Sequence, residues 1–187
     1  MEEKELSHKC AEGDAGAQKI LYERYSGYLS GICMRYASDR QQALDILHDT
    51  FLKIYANMGK FTYRGEGSLK GWMARITINL ALERLRSDSK IHMVEVQGDI
   101  AEEIPPENFH EVIPAQVLVR FIEELPPGYR TVFNLYVFEE MSHKEIAASL
   151  GINEKSSSSQ FLRARQTIAK KINQYLKESE NGKQKRR

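Results

Sequence analysis

Between residues 60 and 86 the chain gathers cationic, amide and aromatic side chains into a short span. Set out at 100° per residue, Ser68, Arg75, Asn79 and Arg86 fall within about 20° of one line along a helix. Leu69, Met73, Ile76 and Leu80 take another face, with Trp72 at its edge. Just upstream, the segment 59–67 holds three glycines together with Phe61, Tyr63 and Arg64. Cations bind phosphates, and a base taken out of its stack needs an aromatic surface with polar edges, so this group suits single-stranded nucleic acid. Singly, Phe61 and Trp72 read more readily as core residues. Asn79, an amide in the middle of a helix, is harder to assign to a core.

A second group lies in SHKEIAASLGINEKSSSSQFLRARQTIAKKI. Ser142 and Glu145 form an S-x-x-E capping box that starts a helix. Ile146 and Leu150 supply its buried side, and Ala147 is small where another helix must cross closely. Gly151 can take the left-handed conformation that ends a helix, with Ile152 under the turn and Asn153 as the next N-cap. Phe161, Leu162, Ile168 and Ile172 are expected to face inward on the second helix. Its outward face then reads Lys155, Ser156, Ser158, Ser159, Gln160, Arg163 and Arg165. Serine reaches phosphates or base edges, Gln prefers adenine, and Arg prefers guanine or phosphate. A helix so composed fits a major groove as the second helix of a helix-turn-helix. Four consecutive serines stabilise a helix poorly, which argues against a purely structural one.

Asp45 and Asp49 share a helical face and would suit a docking surface for a basic partner. His48-Asp49 is also the dipeptide of metal-dependent phosphohydrolases. That chemistry needs further His and Asp ligands, and His8, the one upstream histidine, falls in an end expected to fray. Cys10 and Cys33 read as reduced packing residues.

Composition narrows the classes. The chain has 187 residues, 41% hydrophobic and 28% charged, and no apolar run approaches the ~20 residues that span a bilayer. The acidic start Met1-Glu2-Glu3-Lys4-Glu5 does not read as a signal peptide, so a cytoplasmic location is expected. The net charge of +1 conceals segregation. Residues 60–90 carry 7 basic and 3 acidic side chains and residues 154–187 carry 10 and 3, whereas residues 91–125 carry 1 and 8. Two basic segments around an acidic one suggest two polyanion-binding surfaces on one chain.

These groups are positioned by helices. Apolar residues recur at three- and four-residue steps from Ala15 to about Ser89, with no strand pattern, and Ser68 can cap a helix that runs to about Arg86. The expected fold is therefore all-α, in two small helical domains. The first, a helical bundle, spans 10–89; an acidic flexible linker containing Pro105-Pro106 spans 90–113. The second, a helix-turn-helix domain, begins near Pro114 and spans 114–178, and a basic disordered tail spans 179–187.

Taken together, DRQQALDILHDTFLKIYANMGKF, GSLKGWMARITINLALERLR, the acidic linker and LPPGYRTVFNLYVFEEMSHKEIAASLGI…FLRARQTI resemble the extracytoplasmic-function (ECF) sigma factors over about residues 10–177. Each motif alone is moderately specific; their order and spacing are highly specific. The resemblance implies a σ2-like and a σ4-like domain and no catalytic activity; no cofactor is expected, and no metal, with two cysteines and five scattered histidines. It also implies binding to bacterial core RNA polymerase and promoter recognition, commonly under the control of an anti-sigma factor. By the same resemblance Asp45, His48, Asp49, Phe51 and Leu52 dock on the β′ clamp helices. Phe61, Tyr63, Arg64, Ser68, Arg75, Asn79 and Arg86 melt and capture the −10 element, with Asn79 at the base-contacting position. The helix from Lys155, with Lys144 before it, reads the −35 groove, and the second domain meets the β flap. The chain departs from the family where Lys155-Ser156-Ser157-Ser158-Ser159-Gln160 replaces a common Gly-Thr-Val-Lys-Ser-Arg run, and where His48 replaces the usual Gln. Two rivals remain: a helix-turn-helix regulator that binds DNA unaided, and the metal phosphohydrolase.

Overall fold

The computed structural model describes residues 1–87 and 109–184, and the chain divides into two compact helical units. The first unit holds α1 (Glu3–Ala11), α2 (Ala15–Tyr36), α3 (Arg40–Asn57) and α4 (Ser68–Ser87), with a single 3-10 turn at Met58–Lys60. The second holds α5 (Phe109–Val112), α6 (Ala115–Glu123), α7 (Pro127–Val137), α8 (His143–Leu150) and α9 (Glu154–Gln184). The described residues contain no strand.

Local chemistry sets the helix starts in the first unit. Asp14 Oδ1 accepts the Ala17 N–H at 2.7 Å, and Asp39 Oδ1 accepts the Gln42 N–H at 2.8 Å, so each aspartate satisfies a donor that the helix itself leaves open. The apolar stripes of all four helices then meet in one core. Leu6, Leu21, Leu29, Ile32, Ile46, Ile54, Met58, Leu69 and Met73 are fully buried there. Each such side chain stabilises the unit by about 1.5–3 kcal/mol relative to exposure. Two polar groups are satisfied at this core: the half-buried Tyr55 donates to the Gln18 carbonyl, and the buried Thr77 donates to the Met73 carbonyl.

Helix α1 corrects two expectations. The end expected to fray is a helix whose Leu6 and Cys10 are buried, and the ordered unit starts at Glu3 rather than at residue 10. Both cysteines are buried and free, as packing residues should be. Burial pushes the Cys10 thiol up to about 11 and the Cys33 thiol up to about 12.

In the second unit, Ile113, Phe121 and Ile172 form a buried cluster, with Phe109, Val117, Leu118, Ile168, Tyr175 and Leu176 packed against it. Residues 109–113 therefore contribute to this unit's core, although the sequence places them in the linker. The rest of that linker, residues 90–108, lies outside the described residues. Helix α9 also continues through Gln184, so the expected disordered tail is helical from 179 to 184; residues 185–187 lie outside the described set. Val132, Leu135, Ile146, Leu150 and Ala164 continue the core toward α7 and α8. Lys171 Nζ, 2.6 Å from Glu124 Oε2, ties α9 to the end of α6.

Candidate nucleic-acid and polymerase interfaces

The turn between α8 and α9 follows from its residues. Ser142 Oγ accepts the Glu145 N–H, and the Glu145 carboxylate accepts the Ser142 N–H at 2.8 Å, which completes the capping box. The Ser142 hydroxyl also donates to the Glu145 carboxylate at 2.7 Å, and this bond first, with the Ser142 backbone N–H second, holds the Glu145 carboxyl below the usual glutamate range. Gly151 closes α8 at φ 69° and ψ 34°, in the left-handed region. Asn153 Oδ1 accepts the Ser156 N–H at 2.7 Å and starts α9. The second helix is fixed on the first by Ser157, whose buried hydroxyl lies 3.0 Å from His143 Nδ1, while the His143 ring stacks on Tyr136.

This packing decides which face of α9 meets solvent. Lys155, Ser158, Ser159 and Arg165 are exposed, Ser156 and Arg163 are half-buried, and Lys144 is exposed on α8. Gln160 is not on that face: it is 8% exposed and its Oε1 lies against Gly128, where an added Cβ would come within 2.7 Å. Helix geometry gives the reason, because Ser157, Gln160 and Ala164 share the buried stripe. Leu162, expected inside, is 47% exposed and shares the open stripe with Ser158 and Arg165. Its apolar type misled the sequence reading; its position relative to Ser158 and Arg165 was the usable signal.

In the first unit, a cavity of about 440 Å³ at the start of α4 brings together Lys60, Phe61, Arg64, Ser68, Trp72 and Arg75. The Phe61 and Trp72 rings sit 5.3 Å apart and tilted, both half-buried, so each serves as cavity wall as well as packing. Arg75, Asn79 and Arg86 are exposed on α4. Asn79 lies one turn beyond Arg75, and Arg86 lies about 16 Å along the helix axis from Arg75. Neither lines the cavity, and Tyr63 faces a separate depression against α1.

Ser68 does not act as a simple N-cap. It is the first residue of α4, and its hydroxyl donates to the Gly65 carbonyl at 2.6 Å and accepts the Arg64 N–H at 3.2 Å. Glu3 of α1 takes one open donor of the helix and one just before it: its carboxylate accepts the Leu69 N–H at 2.9 Å and the Gly67 N–H at 3.1 Å. Sequence reasoning missed Glu3 because 64 residues separate it from Gly67.

On α3, Leu44, Asp45, His48 and Leu52 are exposed. Phe51, assigned to this docking face by resemblance, is 4% exposed and its ring lies 4.7 Å from that of Tyr22, so it supports the face from below. The Asp49 carboxylate pairs with Arg84 of α4, and Gln41 donates to Asp45 at 3.1 Å. Among the described residues, no group of three His, Cys, Asp or Glu could hold a metal ion. No described helix is long and apolar enough to cross a membrane.

Fold and surfaces together define a two-unit helical protein of the nucleic-acid-binding kind, with a helix-turn-helix in its second unit. Two family models match it: Sigma-70 region 2 over residues 21–91, and Sigma-70, region 4 over residues 115–168. The chain is 29% identical to the RNA polymerase sigma-H factor of Pseudomonas aeruginosa over 191 residues, covering 95% of this chain and 97% of that protein. It is 24% identical to the ECF RNA polymerase sigma factor SigM of Bacillus subtilis, covering 79% and 90% respectively. Among solved structures it is similar to CnrH in complex with the cytosolic domain of CnrY, at 22% identity, 90% and 95% coverage, and a TM-score of 0.47. The chain belongs to the sigma-70 family of RNA polymerase sigma factors, in the extracytoplasmic-function group. It acts in transcription initiation, with RNA polymerase and promoter DNA as partners.

Proposed function

We propose a division of labour between the two units. The segment 61–67 and α4 open the −10 element and hold one extruded base, and the exposed face of α9 reads the −35 duplex. The observation that carries this reading is the cavity at the start of α4, where the aromatic pair Phe61 and Trp72 adjoins Lys60, Arg64 and Arg75. Aromatic surface offsets the few kcal/mol lost on unstacking, and the cations take the strand's phosphates. Asn79, exposed one turn further along, offers an amide to a base edge.

On α9, Lys155, Arg163 and Arg165 bind backbone phosphates or guanine, Ser158 and Ser159 reach base edges, and Leu162 meets a thymine methyl. The buried Gln160 takes no part. Helix α3 docks on the β′ clamp helices through Leu44, Asp45, His48 and Leu52, and the second unit meets the β flap. Each unit binds DNA modestly and gains affinity when polymerase fixes the distance between them. In this reading the chain is a cytoplasmic specificity subunit rather than a catalyst, with an anti-sigma factor as its regulator.

Run-off transcription with core polymerase, with and without this chain, on a promoter library tests the activity. Permanganate footprinting tests the division. Asn79→Ala should lower strand opening while leaving −35 duplex binding unchanged, and equal loss at both steps refutes the assignment.

A further inference from the structure

We propose that Glu3 of α1 is the positioning residue for the base-capturing segment 61–67, holding it in the shape that discriminates among bases. This rests on the assignment of that segment to the −10 element. The segment has little packing of its own. Thr62, Tyr63 and Arg64 are exposed, and Gly65 and Gly67 sit at φ 121° and 83°, where glycine is at its most permissive. Its inner ties are the Phe61–Trp72 contact and the two hydrogen bonds of Ser68. Glu3 adds a tie from another helix, one carboxylate bridging Gly67 at the end of the segment and Leu69 in the first turn of α4.

The helix that carries this carboxylate is itself anchored. Arg24 of α2 donates to the Met1 carbonyl at 2.9 Å and fixes the start of α1, and Leu6, one turn on, is fully buried. Burial pushes the Tyr25 phenol of α2 up from its usual value, and the nearby Glu3 carboxylate adds to the rise. Two charge-assisted bonds therefore link a rigid helix to a segment rich in glycine. A second consequence concerns the DNA strand. The Gly67 and Leu69 N–H groups at the start of α4 would otherwise attract a phosphate, and Glu3 occupies these two. Strand phosphates are thereby directed to Lys60, Arg64 and Arg75, which places the base over the Phe61–Trp72 pair.

The test uses the full chain bound to core polymerase and single-stranded oligonucleotides with a randomised six-base window, sequencing the bound fraction. Enrichment at the captured position is a ratio within the bound population, so it does not depend on how much protein is active. Glu3→Gln keeps the size of the side chain but replaces one acceptor with an amide donor. It should lower the enrichment by at least about tenfold, the order expected for one lost hydrogen bond to a charged group, and Glu3→Asp should retain part of it. Trypsin cleavage after Arg64 should quicken in parallel. An unchanged enrichment profile in Glu3→Gln overturns the proposal, even if less oligonucleotide is bound. Phe61→Ala and Asn79→Ala separate the two readings. If they flatten the profile and Glu3→Gln does not, only the role of Glu3 fails. If neither they nor Glu3→Gln change it, or if the wild type shows no preference, the assignment of the segment fails and takes this proposal with it.

Discussion

Replacing Gly151 with alanine should destabilise the second unit by about 1 kcal/mol, and for a backbone reason alone. Gly151 sits at φ 69°, and no atom lies within 4 Å of the Cβ that alanine would add, so nothing is displaced. The left-handed conformation costs an L-residue roughly 1–2 kcal/mol. Alanine recovers about 0.4–1 kcal/mol by restricting the unfolded chain, which leaves a net loss near 1 kcal/mol. For a unit of this size that lowers the melting temperature by about 4–8 °C. Asn tolerates the left-handed region better, so Gly151→Asn should lose less than Gly151→Ala. The chain has one tryptophan, Trp72, in the first unit. Trp72 fluorescence therefore follows the first unit while far-ultraviolet circular dichroism follows both. The dichroism transition of the second unit should fall and the Trp72 transition should stay. If Gly151→Asn is as damaging as Gly151→Ala, or if the Trp72 transition moves equally, the strain explanation is wrong.

Two further outcomes follow from titratable groups. The Glu145 carboxyl is held below its ordinary value by Ser142, so its contribution is complete above the unfolded glutamate value and is lost as pH falls through the lower folded value. The stability gap between wild type and Glu145→Gln, measured by urea denaturation, should therefore close as pH drops from about 6 toward 3, and a gap independent of pH would count against the capping bond. Cys10 and Cys33, with thiols at about 11 and about 12, should resist a thiol reagent at about pH 8 in the native chain and react once it is denatured. Rapid labelling of the folded protein would contradict their burial.

The elements that could be read from sequence are those whose signal is local. Ser142, Glu145, Gly151 and Asn153 lie within twelve residues of one another and specify cap, stop and restart; the structure contains all three. The all-helical fold and the two-unit organisation likewise follow from three- and four-residue apolar steps and a change in composition. What escaped were contacts between distant segments. Glu3 caps α4 across 64 residues, and the packing of α1 depends on Leu6 finding a core built by the helices that follow. Helix α9 misled in another way, because polar residues take its inner stripe. Ser157 finds His143 and Gln160 lies against Gly128, so an apolar count gives the wrong side to Leu162 and Gln160. The cation and amide stripe of α4 was legible for the opposite reason, since Arg75, Asn79 and Arg86 meet solvent and their register alone places them on one side.

Among the described residues, the first hydrophobic core runs from Leu6 to Leu85, all of it translated before residue 88. Domains fold as units during synthesis, the N-terminal one first. The first unit can thus fold before α9 is synthesised, and a nascent chain truncated after α4 should already carry the surfaces proposed above for polymerase and the melted strand.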